Sequence, residues 1–223
     1  MAETIKLKSA RDGFEFSAYH EAPFTPRKGG VIVLQEIFGI DAGIRHDVEL
    51  WAKAGYEAVA PSLFDRKEFG FTAGHDPAGM QAGFAHATAI DREDYLSDIA
   101  ACRDFLSPRG KVFILGYCFG GSLTYLASAK LDGLAAGSSY YGSLVKQFAD
   151  MPLNNPVIVH LGRLDGHINA DETEAAVKAA HPEVPVYIYE NAGHGFNYPS
   201  PERYNEEAAD LARHRTIELF ESV

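Results

Sequence analysis

The stretch from Lys111 to Ser122 constrains the fold of this chain more than any other. It reads Lys-Val-Phe-Ile-Leu-Gly-Tyr-Cys-Phe-Gly-Gly-Ser. Its first half is apolar, which predicts a buried strand, and its glycines predict a tight turn into a helix that includes residues 122–127. Small residues on both sides of such a turn let the strand and the helix approach closely, and the residue at its centre is Cys118.

Turns of this form occur as the nucleophile elbow of α/β-hydrolases, where the central residue is strained and exposed above a parallel sheet. Cys118 would then be a nucleophile. The motif alone fits an ordinary buried cysteine beside a glycine-rich helix equally well. Other residues are therefore needed to distinguish a nucleophile from a core cysteine. A serine in this role is disfavoured, because the chain has no Gly-x-Ser-x-Gly and residues 137–141, Gly-Ser-Ser-Tyr-Tyr, lack the second glycine.

The rest of the chain alternates predicted strands with predicted helices, which indicates an α/β protein with a mostly parallel sheet and helices on both faces. Residues 4–8 and 14–20 predict an N-terminal antiparallel hairpin. Residues 62–90 are irregular and predict a cap, an active-site loop or a surface excursion. Further strands are expected at 30–36, 56–61, 134–140, 156–161 and 184–190, and further helices at 44–54, 91–106, 171–180 and 202–220.

The composition suits one α/β domain over residues 1–223, since 46% of the residues are hydrophobic. Acidic residues number 31 against 20 basic ones, and the net charge of −11 argues against nucleic acid or an anionic membrane as a partner. The start of the chain lacks the apolar core of a signal peptide, and no apolar stretch approaches the roughly 20 residues that span a bilayer. We therefore expect a cytoplasmic protein, with a monomer favoured.

The two cysteines, Cys102 and Cys118, do not make a disulfide framework, and a reduced compartment is expected. Cys102 lies in a helical pattern and is interpreted as a core residue. No cofactor or metal is expected. A zinc site from His160, Asp165 and His167 is disfavoured, because alternation along the strand would bury His160 and no further ligand pair is near.

A cysteine nucleophile needs a base and a third group that orients the base, so strand ends downstream of Cys118 should offer both. Residues 162–167, Gly-Arg-Leu-Asp-Gly-His, follow one predicted strand, and residues 191–196, Asn-Ala-Gly-His-Gly-Phe, follow the last. The candidates are Asp165 and His194, in the chain order of the α/β-hydrolases. Asp-Gly is also a common turn signal. Asp171 is better interpreted as the cap of its helix.

Four motifs together resemble the dienelactone hydrolase family nearly end to end. They are Gln-Glu-Ile-Phe-Gly at 35–39, Gly-Tyr-Cys-Phe-Gly-Gly at 116–121, Tyr-Tyr-Gly at 140–142 and Ala-Gly-His-Gly-Phe at 192–196. The resemblance implies an α/β-hydrolase fold and a Cys–His–Asp triad of Cys118, His194 and Asp165, which opens a lactone or ester through an acyl-enzyme. It also implies that Glu36 interacts with the resting thiol and helps to generate the thiolate once substrate binds.

Glu36 supports such a role on physical grounds as well. A carboxylate that ends a buried strand is poorly solvated, so it could accept a thiol proton if it lay beside Cys118. The alternative is a turn residue that caps the helix at 44–54. An oxyanion hole would come from the backbone N–H groups of Phe119 and Ile37.

The resemblance implies a small lactone or ester as the substrate. The chain departs from the family at a position that binds the negative charge of the substrate. In dienelactone hydrolases an arginine four residues after the catalytic histidine holds the substrate carboxylate, and this position here is Tyr198. Tyr141 is a second candidate for substrate binding. Substitute arginines could be Arg163, beside Asp165, or Arg66, Arg92 and Arg203. We expect weaker selection for anionic lactones than the resemblance implies.

Two other functions remain open at this point. A general carboxylesterase or a thioesterase would use the same triad and differ only in substrate. A peroxide-sensing thiol protein would use Cys118 without hydrolysis, and a resolving cysteine would favour it. Cys102, in its predicted helix, is the other cysteine of the chain.

Overall fold

The computed structural model describes residues 2–223. The strands are β1 (Glu3–Lys8), β2 (Glu15–Glu21), β3 (Gly29–Leu34), β4 (Tyr56–Pro61), β5 (Val112–Tyr117), β6 (Ala136–Tyr140), β7 (Val157–Gly162) and β8 (Val186–Tyr189). The helices are α1 (Ala42–Lys53), α2 (Pro77–Ala89), α3 (Arg92–Leu106), α4 (Phe119–Lys130), α5 (Val145–Phe148), α6 (Ala170–Ala180) and α7 (Glu206–Ser222), with a 3-10 turn at Ser107–Arg109.

The strands form a mixed sheet in the order β1-β2-β4-β3-β5-β6-β7-β8. β1 and β2 pair antiparallel, as does β2 with β4. The pairs β3–β4, β6–β7 and β7–β8 are parallel. Gly13 lies in the connection of the hairpin at φ +74°, a conformation that favours glycine. The predicted fold class, a mostly parallel sheet with an N-terminal antiparallel hairpin, is confirmed.

The described chain consists of two compact units, one that ends at Ile114 and one that spans Leu115–Val223. In the first unit every residue of β3 and β4 is buried, and in the second every residue of β7 is buried. Successive side chains of a strand point to opposite faces, so burial of all of them means that both faces are covered. This explains why most of the residues in these strands are apolar. No helix within residues 2–223 is long and apolar enough to cross a membrane.

Several helices begin at a residue whose side chain caps the helix, and two caps suggested by the sequence, Glu36 and Asp171, are wrong. Asp41 caps α1 by accepting from the backbone N–H of Ile44 at 3.0 Å, so the alternative that Glu36 caps this helix is wrong. Asn169 caps α6, so the expectation that Asp171 caps this helix is wrong. Asp171 lies in the first turn, where the positive end of the helix dipole stabilises a carboxylate. Asp91 caps α3 by accepting from the backbone N–H of Glu93 at 3.1 Å.

Residues 62–90 were expected to be irregular throughout, and this is wrong for their second half, which forms α2. Asp76 caps the helix and Pro77 is its first residue, a combination that starts helices readily. The glycines that argued against a helix are explained by close packing. A Cβ on Gly79 would lie 1.9 Å from the carbonyl oxygen of Gly74, and one on Gly83 would lie 2.1 Å from that of Ile37. Tertiary contact thus explains why glycine is present at two positions of the helix where it lowers the helix propensity.

Candidate active site

Cys118 lies at the turn between β5 and α4, in a backbone conformation that residues other than glycine rarely adopt. Its φ is +52° and its ψ is −110°. The turn is held by three hydrogen bonds: Cys118 N–H donates to the carbonyl of Tyr140 at 3.0 Å, and Ser122 donates to the carbonyl of Cys118 from its backbone N–H at 3.0 Å and from its hydroxyl at 3.2 Å. Strain of this kind persists only where the surroundings fix it and is concentrated at functional sites.

Two glycines let the helix approach the neighbouring strand at this turn. A Cβ on Gly121 would lie 2.3 Å from the carbonyl oxygen of Tyr140. One on Gly142 would lie 2.8 Å from backbone atoms of Gly121 and Ser122. Real Cβ atoms do not come this close, so any larger residue at either position would push the segments apart. The second glycine of the pair at 120–121 is therefore required by packing.

Asp165 is buried and accepts three hydrogen bonds in the loop after β7. Its Oδ1 accepts from the backbone N–H groups of His167 at 2.8 Å and Ile168 at 3.1 Å, and its Oδ2 accepts from His194 Nδ1 at 2.7 Å. The side chain is 1% exposed. A carboxylate held by two backbone amides is fixed in place, so it can orient the imidazole that it faces.

His194 lies in the loop after β8, which touches the loop after β7. A Cβ on Gly162 would lie 2.4 Å from the carbonyl oxygen of Ala192. Burial lowers the pKa of His194, but hydrogen bonds and charge interactions with Asp165 and Cys118 outweigh it and raise the pKa to about 10. Since Nδ1 faces Asp165, Nε2 is left for the thiol. The second unit thus brings Cys118, Asp165 and His194 together.

Tyr141 and His167 flank the imidazole of His194. The ring of Tyr141 lies 5.1 Å from it, and that of His167 lies 5.2 Å away, both edge to face. Tyr141 also has a positive φ of +36° and is buried. Binding of substrate by Tyr141 stays a prediction. The contact of His167 had no signal in the sequence, because it depends on the path of the loop after β7.

Glu36 and Ile37 lie after β3 in the first unit, separated from the strand by Gln35, and both are buried. Glu36 Oε2 lies 3.9 Å from Nδ1 of His75, a residue that no motif of the sequence indicates. The carbonyl of Ile37 packs under Gly83 of α2. Phe119, the other candidate for an oxyanion hole, is the first residue of α4, where backbone N–H groups point beyond the helix end.

The arginines suggested as substrate clamps are held by acidic side chains in two cases. Arg163 donates to Asp171 at 2.6 Å and to Glu190 at 3.2 Å. Arg66 is held by Asp12 at 2.6 Å and Asp98 at 2.8 Å. Tyr198 lies in a turn, with its backbone N–H donating to the carbonyl of Gly195 at 2.8 Å, and it is half-buried. Substrate binding by Arg163 and Tyr198 stays a prediction.

His160 is fully buried in β7, as the alternation pattern predicted. Its Nδ1 is paired with the hydroxyl of Tyr189 at 2.9 Å and its Nε2 with that of Ser138 at 3.2 Å. Burial lowers its pKa to about 3, so the ring stays neutral. Within residues 2–223 there is no group of three or more His, Cys, Asp or Glu side chains that could hold a metal ion.

A mostly parallel sheet with a strained strand–turn–helix elbow and an Asp–His pair after later strands defines an α/β-hydrolase. A sequence model of the dienelactone hydrolase family matches residues 16–223, and the chain belongs to this family. It is accordingly a carboxylic ester hydrolase of the dienelactone hydrolase type.

Relatives and solved structures agree with this assignment. The chain is 31% identical over 229 residues to a carboxymethylenebutenolidase of Pseudomonas putida, with 99% of this chain and 96% of the relative covered. It is 28% identical over 231 residues to carboxymethylenebutenolidase 1 of Cupriavidus pinatubonensis, with 99% and 97% covered. A crystal structure from Klebsiella pneumoniae, provisionally assigned as a dienelactone hydrolase, superposes with a TM-score of 0.86 at 26% identity and full coverage of both chains.

Proposed function

We propose that the chain opens a lactone or cleaves a small carboxylic ester with Cys118 as nucleophile, by way of an acyl-enzyme. The observation that carries the proposal is the position of His194, which donates to Asp165 at 2.7 Å and also hydrogen-bonds Cys118. A nucleophile, a base and an orienting acid in contact are the requirement for this chemistry. The names of the relatives, carboxymethylenebutenolidases, favour a lactone.

The first half of the reaction forms the acyl-enzyme. Glu36 accepts the proton of the Cys118 thiol, and the thiolate attacks the carbonyl carbon of the substrate. The tetrahedral intermediate collapses with cleavage of the bond between the carbonyl carbon and the ester oxygen. His194, protonated at rest because its pKa is about 10, gives its proton to the departing oxygen. In a lactone this oxygen stays attached to the acyl group as a hydroxyl.

The second half returns every group to its starting state. His194, now neutral, takes a proton from water, and the hydroxide attacks the thioester carbonyl. Collapse of this intermediate releases the carboxylic acid and the Cys118 thiolate. The thiolate recovers its proton from Glu36. Asp165 keeps its hydrogen bond to His194 and stabilises the imidazolium, which is present at rest and forms again when His194 takes the proton from water.

Both tetrahedral intermediates carry an oxyanion that needs backbone donors. We assign this role to the N–H groups of Phe119 and Ile37. Phe119 is suited because it begins α4, where the helix dipole and the N–H groups of the first turn favour a negative charge. Ile37 follows the candidate proton acceptor Glu36 directly, and its own carbonyl lies against Gly83 of α2.

The redox alternative has less support than hydrolysis. A peroxide-sensing thiol works with a resolving cysteine of thiolate character. Cys102 is fully buried in α3, and burial raises its pKa well above the ordinary value. A thioesterase or general carboxylesterase would use the same groups, so only the substrate separates it from a lactonase.

A hydrolysis screen tests the proposal as a whole. Purified protein is assayed on lactones, aryl esters and thioesters, before and after alkylation with iodoacetamide. We expect turnover of a lactone or oxygen ester and its loss in proportion to the alkylation of Cys118, measured by peptide mass spectrometry. Turnover that persists in fully alkylated protein would exclude Cys118 as the nucleophile. Turnover of thioesters alone would favour the thioesterase.

The proposed role of Glu36 predicts a loss in turnover. In Glu36→Ala we expect kcat to fall by about 10²-fold or more, the usual size of a lost proton-transfer group, with a smaller change in KM. Steady-state kinetics on the best ester of the screen measure both constants. Kinetic constants close to those of the unaltered enzyme would remove Glu36 from the mechanism.

Tyr198 predicts how strongly the enzyme selects for substrates that carry a carboxylate. A tyrosine gives one neutral hydrogen bond, whereas an arginine at this position would give a charge-assisted pair stronger by about 1.5 to 3 kcal/mol. We expect kcat/KM for a carboxylated lactone to exceed that for its methyl ester by less than about tenfold. Tyr198→Arg should raise this ratio about ten- to a hundredfold, and Tyr198→Gln, which adds no charge, should leave it unchanged. A ratio above tenfold in the unaltered enzyme would reveal another cationic clamp.

A further inference from the structure

The segment that precedes α2 is fixed against the residues that follow β3. Gly39 and Thr72 form a β-bridge, and Ala73 N–H donates to the carbonyl of Phe38 at 3.1 Å. Gly39 has a φ of +79°, and a Cβ there would lie 2.0 Å from the carbonyl oxygen of Phe71. These contacts leave little freedom to the end of the segment, which carries His75.

The imidazole of His75 is held in one orientation by two neighbours. Its ring stacks on that of Phe38, with 3.7 Å between centroids and 26° between planes. Its Nε2 lies 2.8 Å from Oδ2 of Asp41, whose other oxygen caps α1 by accepting from Ile44 N–H. A carboxylate only accepts hydrogen bonds, so Nε2 carries a proton and donates it. Nδ1 is therefore the ring nitrogen that does not face Asp41.

Nδ1 of His75 faces the carboxylate of Glu36, at 3.9 Å from Oε2. This separation is longer than a hydrogen bond, and both groups lie in a poorly hydrated place. The side chains of Glu36, Asp41 and His75 are 6%, 12% and 15% exposed. The imidazole of His75 thus lies between two carboxylates, with one ring nitrogen bonded to Asp41 and the other facing Glu36.

We propose that His75, fixed by Asp41 and Phe38, is a positioning residue that holds the Glu36 carboxylate in the orientation in which it accepts the thiol proton. This inference rests on the proposed role of Glu36. His75 itself neither touches the substrate nor exchanges a proton in the cycle. Its contribution is to make the acceptor ready before the substrate binds, so it should act on turnover through Glu36 and on no other step.

A double-mutant cycle on the whole chain tests the proposal. His75→Phe keeps an aromatic ring for stacking on Phe38 and removes the two ring nitrogens that face Asp41 and Glu36. We expect kcat to fall about tenfold with KM within about twofold, and Asp41→Asn, which preserves a capping side chain, should give a smaller loss in the same direction. In a Glu36→Gln background His75→Phe should have no further effect on kcat, because the group through which it acts is gone.

His86 provides a matched control within the same unit. Its ring also packs on an aromatic neighbour, Phe71 at 4.3 Å, and its Nε2 lies 3.3 Å from a carboxylate, Glu68. His86→Phe should therefore resemble His75→Phe in thermal stability but leave kcat near that of the unaltered enzyme. An equal loss of kcat in both variants would mean that the effect of His75 is structural, and would overturn the inference.

The outcomes also separate this inference from the proposed function. If Glu36→Gln by itself leaves kcat unchanged, the proposed role of Glu36 fails, and the inference fails with it. If Glu36→Gln lowers kcat while His75→Phe does not, or lowers it by the same factor in both backgrounds, the role of Glu36 stands and that of His75 is wrong. A loss seen only when Glu36 is present supports both.

Discussion

Replacing Cys118 by alanine is expected to lower kcat/KM for lactone and ester hydrolysis by about 10⁴-fold or more, because no acyl-enzyme can form without the thiol. The fold should persist, since the turn is held by backbone hydrogen bonds to Tyr140 and from Ser122 that do not involve the sulfur. Circular dichroism and thermal unfolding check the fold, and steady-state kinetics check the rate. Retention of more than a few per cent of the activity would refute the triad.

Cys102 supplies the control for this experiment. Its side chain is fully buried in α3, and burial raises its pKa well above the ordinary value. Iodoacetamide should therefore label Cys118 far faster than Cys102, and Cys102→Ala should keep its activity. The two rates are read from the labelled peptides by mass spectrometry. Equal labelling of the two thiols would count against an activated cysteine.

Replacing His194 by alanine should lower kcat by about 10²- to 10⁴-fold, because the departing oxygen and the attacking water both lose their proton-transfer partner. His167→Ala is the matched control. Its ring lies 5.2 Å from that of His194, but it supports Asp165 only through its backbone N–H, which alanine retains. Its activity should stay within about twofold of the unaltered enzyme. Similar losses in both variants would deny His194 a specific role.

The pH profile of Asp165→Asn tests how the acid acts on His194. In the unaltered enzyme kcat/KM should fall as pH rises through about 10, because His194 then loses the proton that it gives to the departing oxygen. Without the Asp165 charge the pKa moves down towards its ordinary value of 6.5, so the fall should begin at lower pH. A descending limb that stays in place would mean that another group controls it.

The free energy of unfolding should also depend on pH through the protonation of His194. The pKa of His194 is higher in the folded chain than the 6.5 of the unfolded one, so the folded state holds an extra proton between about 6.5 and 10. This contribution to stability is complete below pH 6.5 and is lost as pH rises towards 10. The decline of the unfolding free energy over this window should be shallower in Asp165→Asn than in the unaltered chain.

Much of the fold follows from local patterns in the sequence. The apolar runs of β3, β4, β5 and β7 are long enough to be recognised because both of their faces are buried. The elbow was predictable because its backbone strain requires glycines at fixed positions around Cys118. Asp165 and His194 were found because each follows a strand, and parallel strands place their carboxyl ends at one edge.

Tertiary structure alone decided the parts that depend on contacts between distant segments. The irregular pattern of residues 62–90 did not predict α2, whose two buried glycines lie against the carbonyls of Gly74 and Ile37. The orientation of His75 comes from Phe38 and Asp41, 37 and 34 residues away. No local pattern marks such a residue, because the free energy that fixes an imidazole between two carboxylates arises only when the folded chain brings those charges together.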